Sequence, residues 1–141
     1  MLSPIGVYGV NPALAISINN AIIFLIMKNH FTEAFFRFQR LLVVTKQLPL
    51  FPSIDEIESR LLVLVAMAER DGTPLLVGDL LAQADLASQA TIHGRLSRLH
   101  EKQLIKYLAD TDGRKKYVVS TSKAYSYFSK VGECVIDAGK D

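Results

Sequence analysis

A pair of short strand-like runs in the last third of the chain constrains the fold most. Residues 104–108 and 116–120 are rich in β-branched, aromatic and other apolar residues, and an Asp112-Gly113 turn lies between them. Asp-Gly between two such runs is a strong hairpin signal, because glycine adopts the positive φ that tight turns require. The segments before the runs show helical periodicity, so the sequence predicts helices followed by one hairpin.

Three helices are predicted directly before the hairpin. The first begins at a capping box, in which Ser53 and Glu56 bond each other's backbone N–H groups, and it ends near Gly72. A short helix over 77–84 follows, and Ser88 caps the third helix. The face of the first helix that is predicted to be buried comprises Ile57, Leu61, Leu64, Val65 and Ala68, and that of the third comprises Ile92, Leu96 and Leu99.

The third helix has a second face of small and polar residues. At 100° per residue, Ala90, Gly94 and Ser97 point away from the buried stripe. Glycine inside an exposed helix costs about 1 kcal/mol relative to alanine, and here it thins the face enough for another surface to approach the backbone. Such a helix suits the DNA major groove, the alternative being a solvated face with an incidental glycine. The residues expected to face DNA are Ser88, Gln89, Ala90, Thr91, His93, Gly94, Arg95, Ser97 and Arg98.

Basic residues occupy the tip of the predicted hairpin. Arg114, Lys115 and Lys116 follow the Asp112-Gly113 turn directly. Helices followed by a hairpin with a cationic tip are the order of a winged helix, in which one helix enters the major groove and the wing contacts phosphates or the minor groove. The predicted fold class is therefore mostly α (α+β): a winged helix-turn-helix domain with a two-stranded wing, flanked by N- and C-terminal helices.

Residues 80–121 resemble the MarR family of bacterial transcription regulators. The residues that carry the resemblance are Arg98-Leu99, Leu104-Ile105, Asp112-Gly113-Arg114 and Val118-Val119-Ser120-Thr121. In that family the wing aspartate orients the wing arginine, which contacts DNA, so the resemblance implies these roles for Asp112 and Arg114. The sequence departs from the family at Gln103, where glycine is usual, at Gly94, where arginine is common, and at Arg95, where an apolar residue is usual.

The N-terminal part of the chain is apolar. Residues 1–27 contain no charged side chain. A membrane-spanning helix needs about 20 apolar residues, and Asn19 and Asn20 oppose insertion near the middle of this one. Asn11-Pro12 predicts a helix start, and a helix that is apolar on nearly all sides must be covered. We therefore expect a subunit contact. The alternatives are a membrane anchor and an error in the assigned start, with Met27 as the true first residue.

A further helix is predicted over residues 32–46, with Thr32 as its cap, before Pro49 and Pro52 break the pattern. MarR dimers are usually built from an N-terminal helix and two C-terminal helices, so the resemblance implies a homodimer. The predicted organisation is residues 1–50 as an N-terminal dimerisation segment, 51–121 as the winged helix, and 122–141 as a C-terminal dimerisation helix.

Composition and spacing exclude several other classes of protein. The net charge is only +2, and Cys134 is the sole cysteine, so the chain forms neither an internal disulfide nor a cysteine zinc cluster. His93 and His100 are seven residues apart, too far for a shared metal site on one helix. Because no phosphate loop, paired-carboxylate motif or nucleophile–base spacing is present, we expect no enzymatic activity, no cofactor and no metal.

The sequence therefore predicts a cytoplasmic, homodimeric transcription regulator that binds specific sites on double-stranded DNA. The alternative is a winged-helix module for protein–protein interaction or assembly, associated with a membrane through its apolar N-terminus. A small-molecule effector is compatible with the first class, but no residue pattern names one. Cys134 is interpreted as a small hydrophobic residue, with oxidant sensing as the alternative.

Overall fold

The computed structural model describes residues 11–27 and 29–140 of the chain. Residues 1–10 of the predicted dimerisation segment, together with Lys28 and Asp141, lie outside the described residues. Over the described ranges the elements are, in chain order, α1 (Pro12–Met27), α2 (His30–Lys46), α3 (Glu56–Arg70), β1 (Leu75–Leu76), α4 (Val77–Leu81), α5 (Gln89–Glu101), β2 (Ile105–Ala109), β3 (Lys116–Ser120) and α6 (Ser122–Ala138).

The chain divides into two compact units. The smaller unit consists of the residues up to Val43 and those from Cys134 onward, and the larger consists of Val44–Glu133. The boundaries between the two units thus fall within α2 and α6. The sequence analysis instead placed the boundaries of the winged helix after residue 50 and after residue 121.

The larger unit has an apolar core between its helices and its sheet. The predicted stripe of Ile92, Leu96 and Leu99 on α5 is fully buried, which confirms the orientation assigned to that helix. The stripe packs against side chains from every other helix and strand of this unit except α2. Some of these side chains are fully buried and others are partly buried. The fully buried members outside α5 are Leu61, Leu62, Val65, Leu80, Leu104, Ile105, Val118 and Ala124.

The beginning of α3 differs from the prediction. Its capping box is formed by Asp55 and Glu58, so the predicted pair of Ser53 and Glu56 was wrong. The Glu58 N–H donates to Asp55 Oδ1 at 2.8 Å, and the Asp55 N–H donates to Glu58 Oε2 at 3.1 Å. Both pairs have the spacing of a capping box, and a carboxylate at Asp55 caps the helix while also meeting arginines of α5.

The buried face of α3 is also displaced from the predicted one. Leu61 and Val65 are buried as predicted, but Leu64 is 36% exposed and was wrongly assigned to the core. Leu62 and Ala66 are buried instead, because this helix packs against both α5 and β3 and therefore covers a wider strip than one apolar stripe.

The sheet contains one strand more than predicted. Its order is β1-β3-β2, and every pairing is antiparallel. The hairpin pairs Ile105 with Ser120 and Ala109 with Lys116, which confirms the predicted wing with its first strand shifted by one residue. The two-residue strand β1 pairs with the opposite edge of β3, so the predicted two-stranded sheet becomes three-stranded.

The short helix α4 ends three residues earlier than predicted. It begins at Val77, where the Leu76 N–H donates to Asp79 Oδ2 at 2.9 Å, and it ends at Leu81. Ala82 is its C-cap, and a turn over residues 84–86 leads to α5. The helix-turn-helix arrangement is therefore present with a one-turn first helix.

The smaller unit contains α1 and most of α2. Asn11 Oδ1 accepts the Ala13 N–H at 3.0 Å, which confirms the predicted start of α1, and every described side chain of that helix is exposed. The cap of α2 is Asn29 rather than Thr32, because Asn29 Oδ1 accepts the Thr32 N–H at 2.9 Å. No single helix in the described ranges is long and apolar enough to cross a membrane, although α1 and α2 reach that threshold as a pair bent by 64°.

Candidate nucleic-acid interface

The predicted recognition helix, α5, starts where the sequence analysis placed it. Ser88 Oγ accepts the Thr91 N–H at 3.2 Å and donates to Thr91 Oγ1 at 2.9 Å. The cap fixes the first turn, and the buried stripe fixes which side of the helix faces outward. Both side chains are thus engaged with one another at the exposed end of the helix.

The outer face of α5 is open around Gly94. Gln89, Ala90 and His93 are exposed, and Gly94 and Ser97 are half-buried. A Cβ atom built on Gly94 would meet no atom within 4 Å, so nothing in the chain requires glycine at this position. Ser97 Oγ donates to the His93 carbonyl at 3.1 Å and lies close to the helix backbone. The face is therefore thin, as predicted, and a neighbouring surface can approach it closely.

Two of the predicted DNA-facing arginines are engaged inside the protein. Arg95 Nε lies 2.5 Å from Asp55 Oδ2, and Arg98 Nε lies 2.8 Å from Glu58 Oε1. Lys102 Nζ donates to Glu58 Oε2 at 2.6 Å, and the Glu58 side chain is completely buried. Sequence reasoning missed this cluster, whose only local signals are an acidic pair at i, i+3 and an arginine where the MarR resemblance expects an apolar residue.

The cluster shifts the protonation equilibrium of Asp55. Burial raises the pKa of its carboxyl, but the Glu58 N–H and the guanidinium groups of Arg95 and Arg98 outweigh that effect, and the net pKa lies below the usual 3.8. The Asp55 carboxylate is therefore ionised at neutral pH and available to both arginines.

The C-terminal end of α5 is held by the start of α6. Lys123 Nζ donates to the Lys102 carbonyl at 2.8 Å, and Thr121 Oγ1 donates to the Gln103 carbonyl at 2.6 Å. Cationic and hydroxyl donors at this end satisfy carbonyls that have no partner within the helix. The helix that carries the predicted interface is thus fixed at both ends.

The wing presents its basic tip on a closed turn. The Asp110 N–H donates to the Lys115 carbonyl at 2.8 Å, and Gly113 has a φ of +74°. Asp112 Oδ1 accepts the backbone N–H of Arg114 at 3.0 Å, so Asp112 shapes the turn through the backbone of the arginine that it was expected to orient. The side chains of Arg114, Lys115 and Lys116 are all exposed.

A carboxylate from α3 holds the base of the wing. Glu69 Oε1 accepts the Ser120 N–H at 2.7 Å, and Glu69 Oε2 accepts the Tyr125 hydroxyl at 3.3 Å. Glu69 therefore joins the end of β3 and the first turns of α6 to α3. The wing is consequently fixed to the same core as α5.

An apolar groove of about 410 Å³ lies elsewhere in the larger unit. It runs between the segment that follows α2 and one side of α6. Its lining is almost entirely apolar, although two lysines of α6 also border it. The lining residues are Leu48, Pro49, Leu50, Phe51, Pro52, Lys123, Ser126, Tyr127 and Lys130.

Comparison with known proteins identifies the architecture. No protein-family model matches the sequence, and no curated protein matches it. S. aureus MepR bound to ethidium bromide matches with a TM-score of 0.55 and 17% identity, over 84% of this chain and 75% of MepR. A MepR mutant bound to an oligodeoxyribonucleotide gives 0.52 and 16%, over 84% and 77%. The transcriptional regulator Tm0710 from Thermotoga maritima gives 0.50 and 17%, over 89% and 75%. This chain has the MarR-type winged-helix fold.

The MarR-type fold confirms the predicted fold class and extends the resemblance of residues 80–121 to most of the chain. Gln103, which stands where the pattern of the resemblance has glycine, adopts a φ of +60°, the left-handed conformation that glycine adopts without strain.

Proposed function

We propose that this chain is a transcription regulator that binds double-stranded DNA in the cytoplasm, with α5 in the major groove and the wing tip on the backbone or in the minor groove. The observation that carries the proposal is the combination of an open, thin face on α5 with an exposed basic wing tip, both fixed to one core. The fold comparison supports it, because a MepR mutant of the same fold was solved with an oligodeoxyribonucleotide.

The candidate DNA contacts divide into two groups by chemistry. Residues near the N-terminus of α5 offer side chains of the kind that read base edges, and the wing offers cations for phosphates. Ser88 caps α5, Asp112 shapes the wing turn, and Arg95 and Arg98 are assigned to internal contacts rather than to base reading. The proposed base-facing residues are Gln89, Ala90, Thr91, His93, Gly94 and Ser97, and the proposed wing contacts are Arg114, Lys115 and Lys116.

The test is titration of the full chain with a random-sequence duplex at two salt concentrations. Because neutralised phosphates release counterions, we expect binding that weakens steeply with salt. Arg114→Glu should weaken binding at both salt concentrations and reduce the slope of the logarithmic salt plot by about 1. Arg70→Glu makes the same charge change at the exposed end of α3 and serves as the matched control.

Two results would contradict the proposal. Absence of binding by the unaltered chain at low salt would favour a protein-interaction module instead. Equal binding by Arg114→Glu and Arg70→Glu would remove the wing from the interface.

We also propose that the groove beside α6 binds a small-molecule effector with an apolar body and one negative charge. The apolar lining suits the body, and Lys123 and Lys130 at its border suit the charge. An anion there would share Lys123 with the Lys102 carbonyl and Lys130 with Glu133, which lie 2.8 Å and 3.1 Å from the respective Nζ atoms. MepR, which shares the fold, was solved with ethidium bromide, so a small aromatic ligand is compatible with this architecture. Ethidium is a cation, whereas the lysines at the border of the groove in this chain favour an anion.

The effector site can be tested with anilinonaphthalene sulfonate, an aromatic anion that fluoresces when it leaves water. Ser126 lines the groove and Ser129 does not, and both are exposed on α6. Ser126→Glu places a negative charge in the groove that repels the sulfonate and should remove most of the bound-dye fluorescence, whereas Ser129→Glu should leave it unchanged. Equal fluorescence from the two variants would place the dye elsewhere on the protein.

A further inference from the structure

We infer that Asp55 and Glu58, the capping box of α3, are positioning residues for α5: they set how α5 is presented to DNA without contacting the DNA. The inference rests on the proposed DNA-binding function. It assigns a role in recognition to two acidic residues, which a phosphate surface would repel.

The two carboxylates divide their oxygens between the two helices. Asp55 Oδ1 accepts the Glu58 N–H at 2.8 Å and caps α3, and Asp55 Oδ2 lies 2.5 Å from Arg95 Nε. Glu58 Oε2 accepts the Asp55 N–H at 3.1 Å and the Lys102 Nζ at 2.6 Å, and Glu58 Oε1 lies 2.8 Å from Arg98 Nε. The same two carboxylates therefore cap α3 and hold α5.

The contacts of Asp55 and Glu58 with α5 extend over two turns of that helix. Arg95, Arg98 and Lys102 stand at i, i+3 and i+7, so they follow one side of the helix. The buried stripe fixes which side of α5 faces the core, and three contacts spread over two turns restrain its remaining freedom to rotate and tilt. The Glu58 side chain is fully buried, so water does not reach its carboxylate, although the side chains of Arg98 and Lys102 are themselves 47% and 27% exposed.

The same contacts reduce the value of these cations as phosphate ligands. Three cations share two carboxylates, which leaves the cluster one net positive charge if all five groups are ionised. A phosphate that approached Arg95 would compete with Asp55 for it. The Asp55 charge alone therefore acts against DNA binding, whereas its contact with α5 acts in favour of it.

The charge of Asp55 and its contact with α5 have opposite effects on DNA binding, so the direction in which the affinity changes tells them apart. Asp55→Ser keeps a good N-cap for α3 and removes the contact with Arg95. If only charge mattered, removal of an acid would strengthen DNA binding. If Asp55 positions α5, the substitution weakens binding to a duplex that α5 reads. Arg95→Met breaks the same contact from the other side and leaves the capping box intact.

The probe is a duplex selected by the unaltered full chain from a random-sequence library, with a random-sequence duplex of equal length as reference. We expect Asp55→Ser and Arg95→Met each to weaken binding to the selected duplex about tenfold, within the range spanned by couplings between contacting residues. Asp55→Ser should leave binding to the random duplex unchanged or slightly stronger. The double variant should be only slightly weaker than Arg95→Met, because both changes remove the Asp55–Arg95 contact and Asp55→Ser removes in addition only the longer contact with Arg98, at 3.6 Å.

A matched control comes from α3 itself. Arg60 pairs with Glu56 at 2.7 Å in an exposed i,i+4 contact that does not involve α5. Arg60→Met should therefore leave the ratio of selected to random binding unchanged. A general loss of stability would affect both duplexes alike, so this ratio separates positioning from folding.

Each possible result is decisive. Binding of the selected duplex by Asp55→Ser that is as tight as that of the unaltered chain, or tighter, would overturn the inference. Additive losses in the double variant would do the same, because Arg95 would then act on DNA independently of Asp55. If the unaltered chain selects no duplex at low salt, the proposed function itself fails, which is a different outcome from failure of positioning alone.

Discussion

Gln103 holds the turn after α5 in a conformation that a side chain disfavours. Its φ of +60° allows the Leu104 N–H to donate to the Leu99 carbonyl at 3.0 Å, which closes the helix with a left-handed C-terminal turn. That bond uses no atom of Gln103, and the contact from the Thr121 hydroxyl uses only its backbone carbonyl. The strain of a Cβ in this conformation is about 1–2 kcal/mol.

Gln103→Gly should therefore stabilise the protein. Glycine keeps every backbone contact and removes the strain, and its greater freedom in the unfolded chain offsets part of the gain. We expect an increase of about 1 kcal/mol in the free energy of unfolding, measured by urea titration. Gly72, with a φ of +77° at the end of α3, is the reciprocal control, and Gly72→Gln should lower stability by a similar amount. A decrease for Gln103→Gly would show that its side chain makes a compensating contact.

At the scale of elements, the link between α3 and α5 depends on pH through Asp55. The pKa of this carboxyl is lowered in the folded protein, so its ionised form stabilises the fold above the unfolded-state pKa of about 3.9. That contribution disappears as pH falls from about 4 through the lower, folded-state pKa. The acidic limb of the stability profile should therefore include Asp55.

Asp55→Asn separates this charge from the capping role, because asparagine is an equally good N-cap. We expect the variant to be less stable than the unaltered chain at pH 7 and the difference to shrink towards pH 3. Urea unfolding at several pH values gives the measurement. A difference that stayed constant with pH would indicate that Asp55 contributes through its cap alone.

The elements that could be predicted from sequence are those with strong local signals. Asp112-Gly113 marked the wing, and Ser88 with its buried stripe marked α5, because turn chemistry and helical spacing need no knowledge of distant residues. The start of α3 could not be predicted in the same way. Ser53 and Asp55 each stand three residues before a glutamate, and the choice between them is made by two arginines about 40 positions further along the chain.

The predicted interface likewise contains features that local sequence signals predict and features that distant residues decide. The exposed positions on α5 and at the wing tip follow from periodicity and turn position. The engagement of Arg95 and Arg98 does not, since an arginine on a helix surface looks the same in sequence whether it meets an internal carboxylate or a phosphate. The sequence predicts a short extended piece over residues 73–76, but its place in the sheet as β1 was missed for a related reason, because a two-residue strand exists only through its pairing with β3.

At the scale of the whole molecule, α1 exposes apolar side chains that nothing else in the described part of the chain covers. Its described side chains are exposed, including Ile16, Ile18 and Leu25, so apolar area faces water on all sides of the helix. We propose that a second copy of this chain covers it. A dimer built in this way would also give the two recognition helices that half-sites on DNA require.

Deletion of residues 1–28 tests the proposed dimer and keeps Asn29, the cap of α2. We expect the unaltered chain to elute as a dimer in gel filtration and the truncated chain as a monomer, since the exposed apolar helix α1 has been removed. The circular dichroism spectrum of the truncated chain should retain the signal of the remaining helices. An unchanged dimer would assign the contact to other elements.

The shared carboxylates of Asp55 and Glu58 also limit how this protein can evolve. A substitution at either position alters the start of one helix and the contacts of another at once, so under the proposed function fold stability and DNA preference would change together there. Descendants that acquire a new operator would be expected to change the outer residues of α5 and to leave this acidic pair in place. Asp55 and Glu58 would then stay unchanged while the DNA sequences recognised by the descendant proteins diverge.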